Sequence, residues 1–145
     1  MIITILLILL ALILLAGVGV AIKYHNHQVE LKKQQAAQQA TDKIVFPVLA
    51  AHLPAGTYRK HSQLTSRMWG QGVHAFEYKV DITNCDREAL KWLSANQVQA
   101  ALEAAKAPVP VKITDWWFHQ TTLHFDVAYV SNPATQQYLA DLKKL

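Results

Sequence analysis

From Ile2 to Ile22 the chain carries no charged side chain. At about 1.5 Å of rise per helical residue, about 21 positions reach roughly 30 Å, the hydrocarbon thickness of a bilayer. Ile2, Leu6, Leu10 and Leu14 are followed and preceded by further Leu and Ile, so a helix here has no polar face to turn toward water. A single retained span over residues 1–22 is the expectation. A cleaved signal peptide would want a basic segment and a shorter apolar run. Nothing basic precedes this one, although Gly19-Val20-Ala21 offers small residues at the spacing of a cleavage site. A lipoprotein signal would need a cysteine where Val18 stands.

The flanks set an orientation. Lys23, Lys32 and Lys33 follow the span, offset by Glu30, and the positive-inside tendency then places the following domain on the cytoplasmic face of a plasma (inner) membrane. Tyr24, His25 and His27 stand where interfacial side chains belong. The lone Cys85, without an intrachain partner, suits a reducing compartment. Gly17 and Ala21 have the four-residue spacing that lets two spanning helices approach, a route to a homo-oligomer, though both residues are also common filler.

Composition changes after Ala21. Residues 23–40 are rich in Gln, Ala, Lys and Glu with neither Gly nor Pro, and these are good helix formers. A polar helical stalk is expected there, with Pro47 ending or kinking any helix that arrives from upstream. Residues 41–145 are enough for one small core.

Within that domain Phe76, Tyr78, Val80 and Ile82 alternate with Glu77, Lys79 and Asp81, the pattern of a half-buried antiparallel strand. Arg67-Met68-Trp69 and Gly70-Gln71-Gly72 supply its hairpin. Thr83 or Asn84 is expected to cap a helix bearing Leu90 and Leu93. Ser94, with Gln97 three residues on, breaks that helix and starts a second carrying Val98, Ala101, Leu102 and Ala105. A second hairpin runs from Val111 to Phe118 and from Leu123 to Val130. Asn132 and Pro133 open a last helix with Tyr138, Leu139, Leu142 and Leu145 on its stripe. The fold expected is α+β, two hairpins in a small antiparallel sheet, with about three helices laid on one face.

Seven histidines invite a metal reading. If Gln120-Thr121 forms the hairpin turn, Trp117 faces His124 and Asp115 faces Asp126. His119, His124, Asp115 and Asp126 then share one sheet face. Such a cluster could bind a divalent cation, but facing carboxylates repel and a one-residue slip disperses the group. Solvent-facing polar residues are the reading adopted, with no metal and no cofactor expected. Cys85 at a helix start would have its thiol pKa lowered by the dipole, yet no histidine adjoins it in sequence, and an inert thiol is expected. The chain has no phosphate loop, nucleophile elbow or Walker-type lysine; no enzyme is expected.

Arg59, Lys60 and Arg67, with Tyr58 and Trp69, gather charge and aromatics that can touch lipid headgroups or a partner protein. Net charge +4 and pI 9.2 are modest, and no nucleic-acid partner is expected. Adjacent rings in Trp116-Trp117-Phe118 fall on opposite faces of a strand, and Trp117 is the one expected to face away from the core, as exposed interaction residues do. The leading expectation is a single-pass, non-catalytic accessory or scaffold subunit docking on a larger, bacterial, membrane complex through Trp117, Trp69, Arg59, Lys60 and Arg67. The alternatives are a membrane-anchored immunity or inhibitor protein, and a histidine-based metal-binding protein.

Overall fold

The computed structural model describes residues 1–65 and 72–144. The chain divides into two compact units, Met1–Lys33 and Gln34–Leu145. The first is helical and its side chains from Met1 to Tyr24 are exposed. Here the helix is long and apolar enough to cross a membrane.

The second unit is α+β. Its elements are the C-terminal part of α1 (Ile2–His52), β1 (Gln63–Leu64), β2 (Ala75–Asp81), a 3₁₀ turn (Ile82–Asn84), α2 (Arg87–Trp92), α3 (Ala95–Ala104), β3 (Val111–His119), β4 (Thr122–Tyr129) and α4 (Pro133–Leu142). Four antiparallel strands form one sheet in the order β1-β2-β4-β3. The expected first arm of the earlier hairpin, at Arg67-Met68-Trp69, lies outside the described residues; β1 precedes it.

Inside this unit α1 presents Ala37, Thr41, Val45 and Leu49 to the core, one residue per turn. That i, i+4 stripe is the buried face the polar composition around it conceals. Ala37 therefore belongs to the core although it lies in the segment read as a stalk. Helix α1 also passes through Pro47 instead of ending there. Pro47 is exposed, so the Lys43 carbonyl that loses its i+4 donor can turn to water, and packing of Val45 and Leu49 holds the helix on either side.

The alternation in β2 holds: Phe76, Tyr78 and Val80 are buried, while Glu77 and Lys79 are half-buried on the opposite face. On the core face an aromatic row crosses three strands and reaches α1. Trp116 packs on Phe125, Phe125 on Tyr78 and Tyr78 on Phe46, with ring centroids 5.4, 5.4 and 5.5 Å apart. Full burial of a ring such as Phe125 stabilises the domain by about 1.5–3 kcal/mol. The Tyr78 hydroxyl donates to Asp42 Oδ1 at 2.7 Å, which fastens α1 to β2.

Asp86, not Thr83 or Asn84, caps α2, its carboxylate accepting from Ala89 N at 2.8 Å. Thr83 is held instead in the 3₁₀ turn by Asp81. Ser94 starts α3 and separates it from α2, as its spacing to Gln97 implies. Asn132 caps α4 with Pro133 in the first turn. The helices do not share one face. Alternating core positions of the sheet meet α1, α2 and α3, whereas α4 packs on the reverse side, where Tyr138 joins Val73, Ala75 and Ala128 in a second small cluster.

Candidate functional site

The reverse side of the sheet carries the polar chemistry. Because strand residues alternate, the pairing Glu77↔Asp126 and Lys79↔His124 between β2 and β4, and Asp115↔Asp126 and Trp117↔His124 between β3 and β4, brings all these side chains to one face. The turn at Gln120-Thr121 sets this register, with His119 paired to Thr122 and Gln120 at φ 54°. An irregularity between Ile113 and Asp115 keeps the carboxylate on this face after the register shift.

A chain of contacts crosses all four strands. Trp117 stacks on His124 with ring centroids 5.1 Å apart. His124 Nδ1 lies 2.6 Å from Glu77 Oε1. Lys79 Nζ lies 3.0 Å from Glu77 Oε2 and donates to Gln63 Oε1 at 3.1 Å. A carboxylate only accepts, so Nδ1 carries the hydrogen and Nε2 keeps its lone pair when the ring is neutral. Burial pulls the Glu77 carboxyl up, but the hydrogen bonds and charges of His124 and Lys79 outweigh it and hold Glu77 below its usual range.

Asp126 is the counterweight. It is 6 % exposed, and its Oδ1 is buried without closing a well-formed hydrogen bond. Burial, with Glu77 on one side and Asp115 on the other, pushes its pKa up to about 6, against smaller opposite pulls from Thr65 and His124. Glu77 thus holds both the His124 ring and the Lys79 ammonium, and Asp126 holds neither.

The metal candidates share a face, as the turn implies, but not a ligand geometry. His119 and His124 meet edge to face at 6.4 Å, His124 is turned to Glu77, and no group of three or more His, Cys, Asp or Glu among the described residues is placed to hold a metal ion. Glu77 was the missing member in the sequence reading; its strand lies 41 or more positions from β4, and no local spacing links the two. Cys85 does not begin a helix but follows the 3₁₀ turn. Burial and the carboxylates of Asp86 and Asp81 push its thiol up, so it is not activated.

The docking residues separate. Trp117 is 36 % exposed and Phe118, which the alternation assigns to the core side, is 54 % exposed. Both lie on β3, one edge of the sheet. Arg59 and Lys60 are exposed on the segment beside β2, next to the Tyr58↔Val80 bridge. That is the opposite edge, three strand spacings or about 14 Å away. Tyr58 turns inward onto Phe46. Arg67 and Trp69 lie outside the described residues. The edge of β3 is partly closed: Gln99 of α3 donates to Val111 O and accepts from Ile113 N, at 3.2 and 2.8 Å, and Asp115 Oδ1 accepts from Trp116 N at 2.8 Å.

Compared with known proteins, the chain matches no family model, and no curated protein and no solved structure proved similar to it.

Proposed function

We propose that this chain is a single-pass, membrane-anchored accessory or scaffold subunit without catalysis of its own, docking on a larger membrane protein complex. Its domain would face the cytoplasm of a bacterial cell. The observation that carries the reading is Trp117: a large ring left exposed yet fixed from behind by stacking on His124, itself hydrogen-bonded to Glu77. A rigid, half-exposed aromatic loses little conformational freedom on binding, which is what makes tryptophan effective at the centre of an interface. Phe118, exposed on the opposite face of the same strand, is a second apolar side chain at the tip of the β3–β4 hairpin. The apolar helix of the first unit supplies the anchor.

The test is co-purification from native membranes in mild detergent. Trp117→Ala should weaken recovery of the partner by about tenfold or more, as truncation of a hot-spot ring does, without changing the melting of the domain. If the partner is recovered equally with the variant, the docking assignment is wrong.

A further inference from the structure

A shallow groove of about 710 Å³ runs between the last turns of α1 and the end of α3. Its floor is made of small or compact apolar side chains, among them Ile44, Val48, Ala101 and Ala104. Lys43 and Lys106 also line it, and no carboxylate does. Both lysines are exposed, and neither enters an ion pair among the described residues. The acids nearest to them in sequence are engaged elsewhere. Asp42 accepts from the Tyr78 hydroxyl at 2.7 Å, and Glu103 is held by Lys112 and Gln99 at 2.9 and 2.8 Å. Lys106 further occupies a left-handed position, φ 48°, just past the end of α3, where glycine would be unstrained.

We propose that this groove receives an amphipathic helix of the partner protein whose flanks are acidic. Ala101, Ala104 and Ala105 keep the α3 wall low, so a helix backbone can come close there, while Lys43 and Lys106 line the same groove. The partial negative charges at the ends of α1 and α3 fade within one turn, so the two full lysine charges set the sign of the occupant. The inference rests on the docking reading in supposing a protein partner, but the residues are different from Trp117, and each can fail alone.

The reporter is Trp92, whose indole stacks on His52 at the groove with centroids 4.1 Å apart. The full chain in neutral detergent, labelled with fluorinated tryptophan, is titrated with a peptide of Leu, Ala and Glu, roughly 18 residues or five helical turns long, with its leucines on one face. A second peptide has Lys in place of Glu. The Trp92 resonance should shift saturably with the Glu peptide and at least tenfold more weakly with the Lys peptide. Lys43→Glu with Lys106→Glu should reverse that preference, and Trp117→Ala should leave it intact. Equal response to both peptides would overturn the proposal, as would a preference that survives the charge reversal. The same shift produced by phosphatidylglycerol vesicles without peptide would assign the groove to lipid and overturn it equally.

Discussion

His124 and Glu77 are joined by a 2.6 Å hydrogen bond across the β2–β4 pairing, although 47 positions separate them in the chain. The bond fixes the imidazole under Trp117 and places Glu77 between the His124 ring and the Lys79 ammonium. Glu77 is held below the ordinary glutamate value of 4.5 in the fold. Its contribution is therefore complete above that value and disappears as pH falls through the lowered folded pKa. Glu77→Gln should cost about 1–3 kcal/mol near neutrality, as loss of hydrogen bonds to a charged group does. It should also flatten the acid side of the stability curve, measured as urea midpoint against pH. An acid limb unchanged by the substitution would mean that the pair carries no weight.

Asp126 works in the other direction. Its pKa rises from 3.8 to about 6 on folding, so the folded state binds the proton more tightly. Stability is gained as pH falls between about 6 and 4, and the cost of the buried charge is complete above that window. Asp126→Asn removes the charge and keeps the shape. It should raise stability at pH 7.5 by about 1–2 kcal/mol, less than the full shift because neighbouring groups relax. The gain should vanish near pH 4. A variant less stable than the parent at pH 7.5 would show that the carboxylate is compensated by something it touches.

What could be read from the residues follows the range of the interaction. The Gln120-Thr121 turn fixes Trp117 opposite His124 and Asp115 opposite Asp126 because a two-residue connection leaves one register. Ser94 and Asn132 act within three residues of themselves, and both caps were legible. Glu77 was not, since nothing local says that β2 lies beside β4 and not beside β3. Pro47 misled because its local penalty is real but is overridden by the burial of Val45 and Leu49. The position of α4 on the reverse face depends on Ala75 and Ala128, two small residues that leave room for Tyr138 and carry no strong pattern of their own.

Gln99 guards an edge. Its amide forks onto Val111 O and Ile113 N, satisfying backbone groups that β3 would otherwise present to another strand. Gln99→Ala should cost about 1–2 kcal/mol for the two half-buried groups left without a protein partner. The more telling effect is on association. The variant should form larger species by light scattering at concentrations where the parent stays monodisperse, and Gln99→Glu, which cannot donate to Val111 O, should fall between them. Identical scattering of all three would mean the edge is protected by other means.

The extent of the folded unit is the last consequence. Compact packing begins at Gln34, Ala37 is 5 % exposed in the core, and Gln38 donates to both the carbonyl and the hydroxyl of Ser62, at 2.8 and 3.1 Å. A fragment beginning at Gln34 should therefore melt in one cooperative step. A fragment beginning at Thr41 keeps every strand and α2 to α4 but loses Ala37, both bonds to Ser62 and the carbonyl that accepts from the Thr41 hydroxyl at 2.7 Å. One small apolar side chain and three hydrogen bonds, each worth about 1 kcal/mol net, make a deficit of roughly 2–4 kcal/mol. For a domain of this size that lowers the melting midpoint by about 10 °C or more. Equal midpoints for the two fragments would return residues 34–40 to the role of a spacer, and the stripe from Ala37 to Leu49 would then begin its contribution at Thr41.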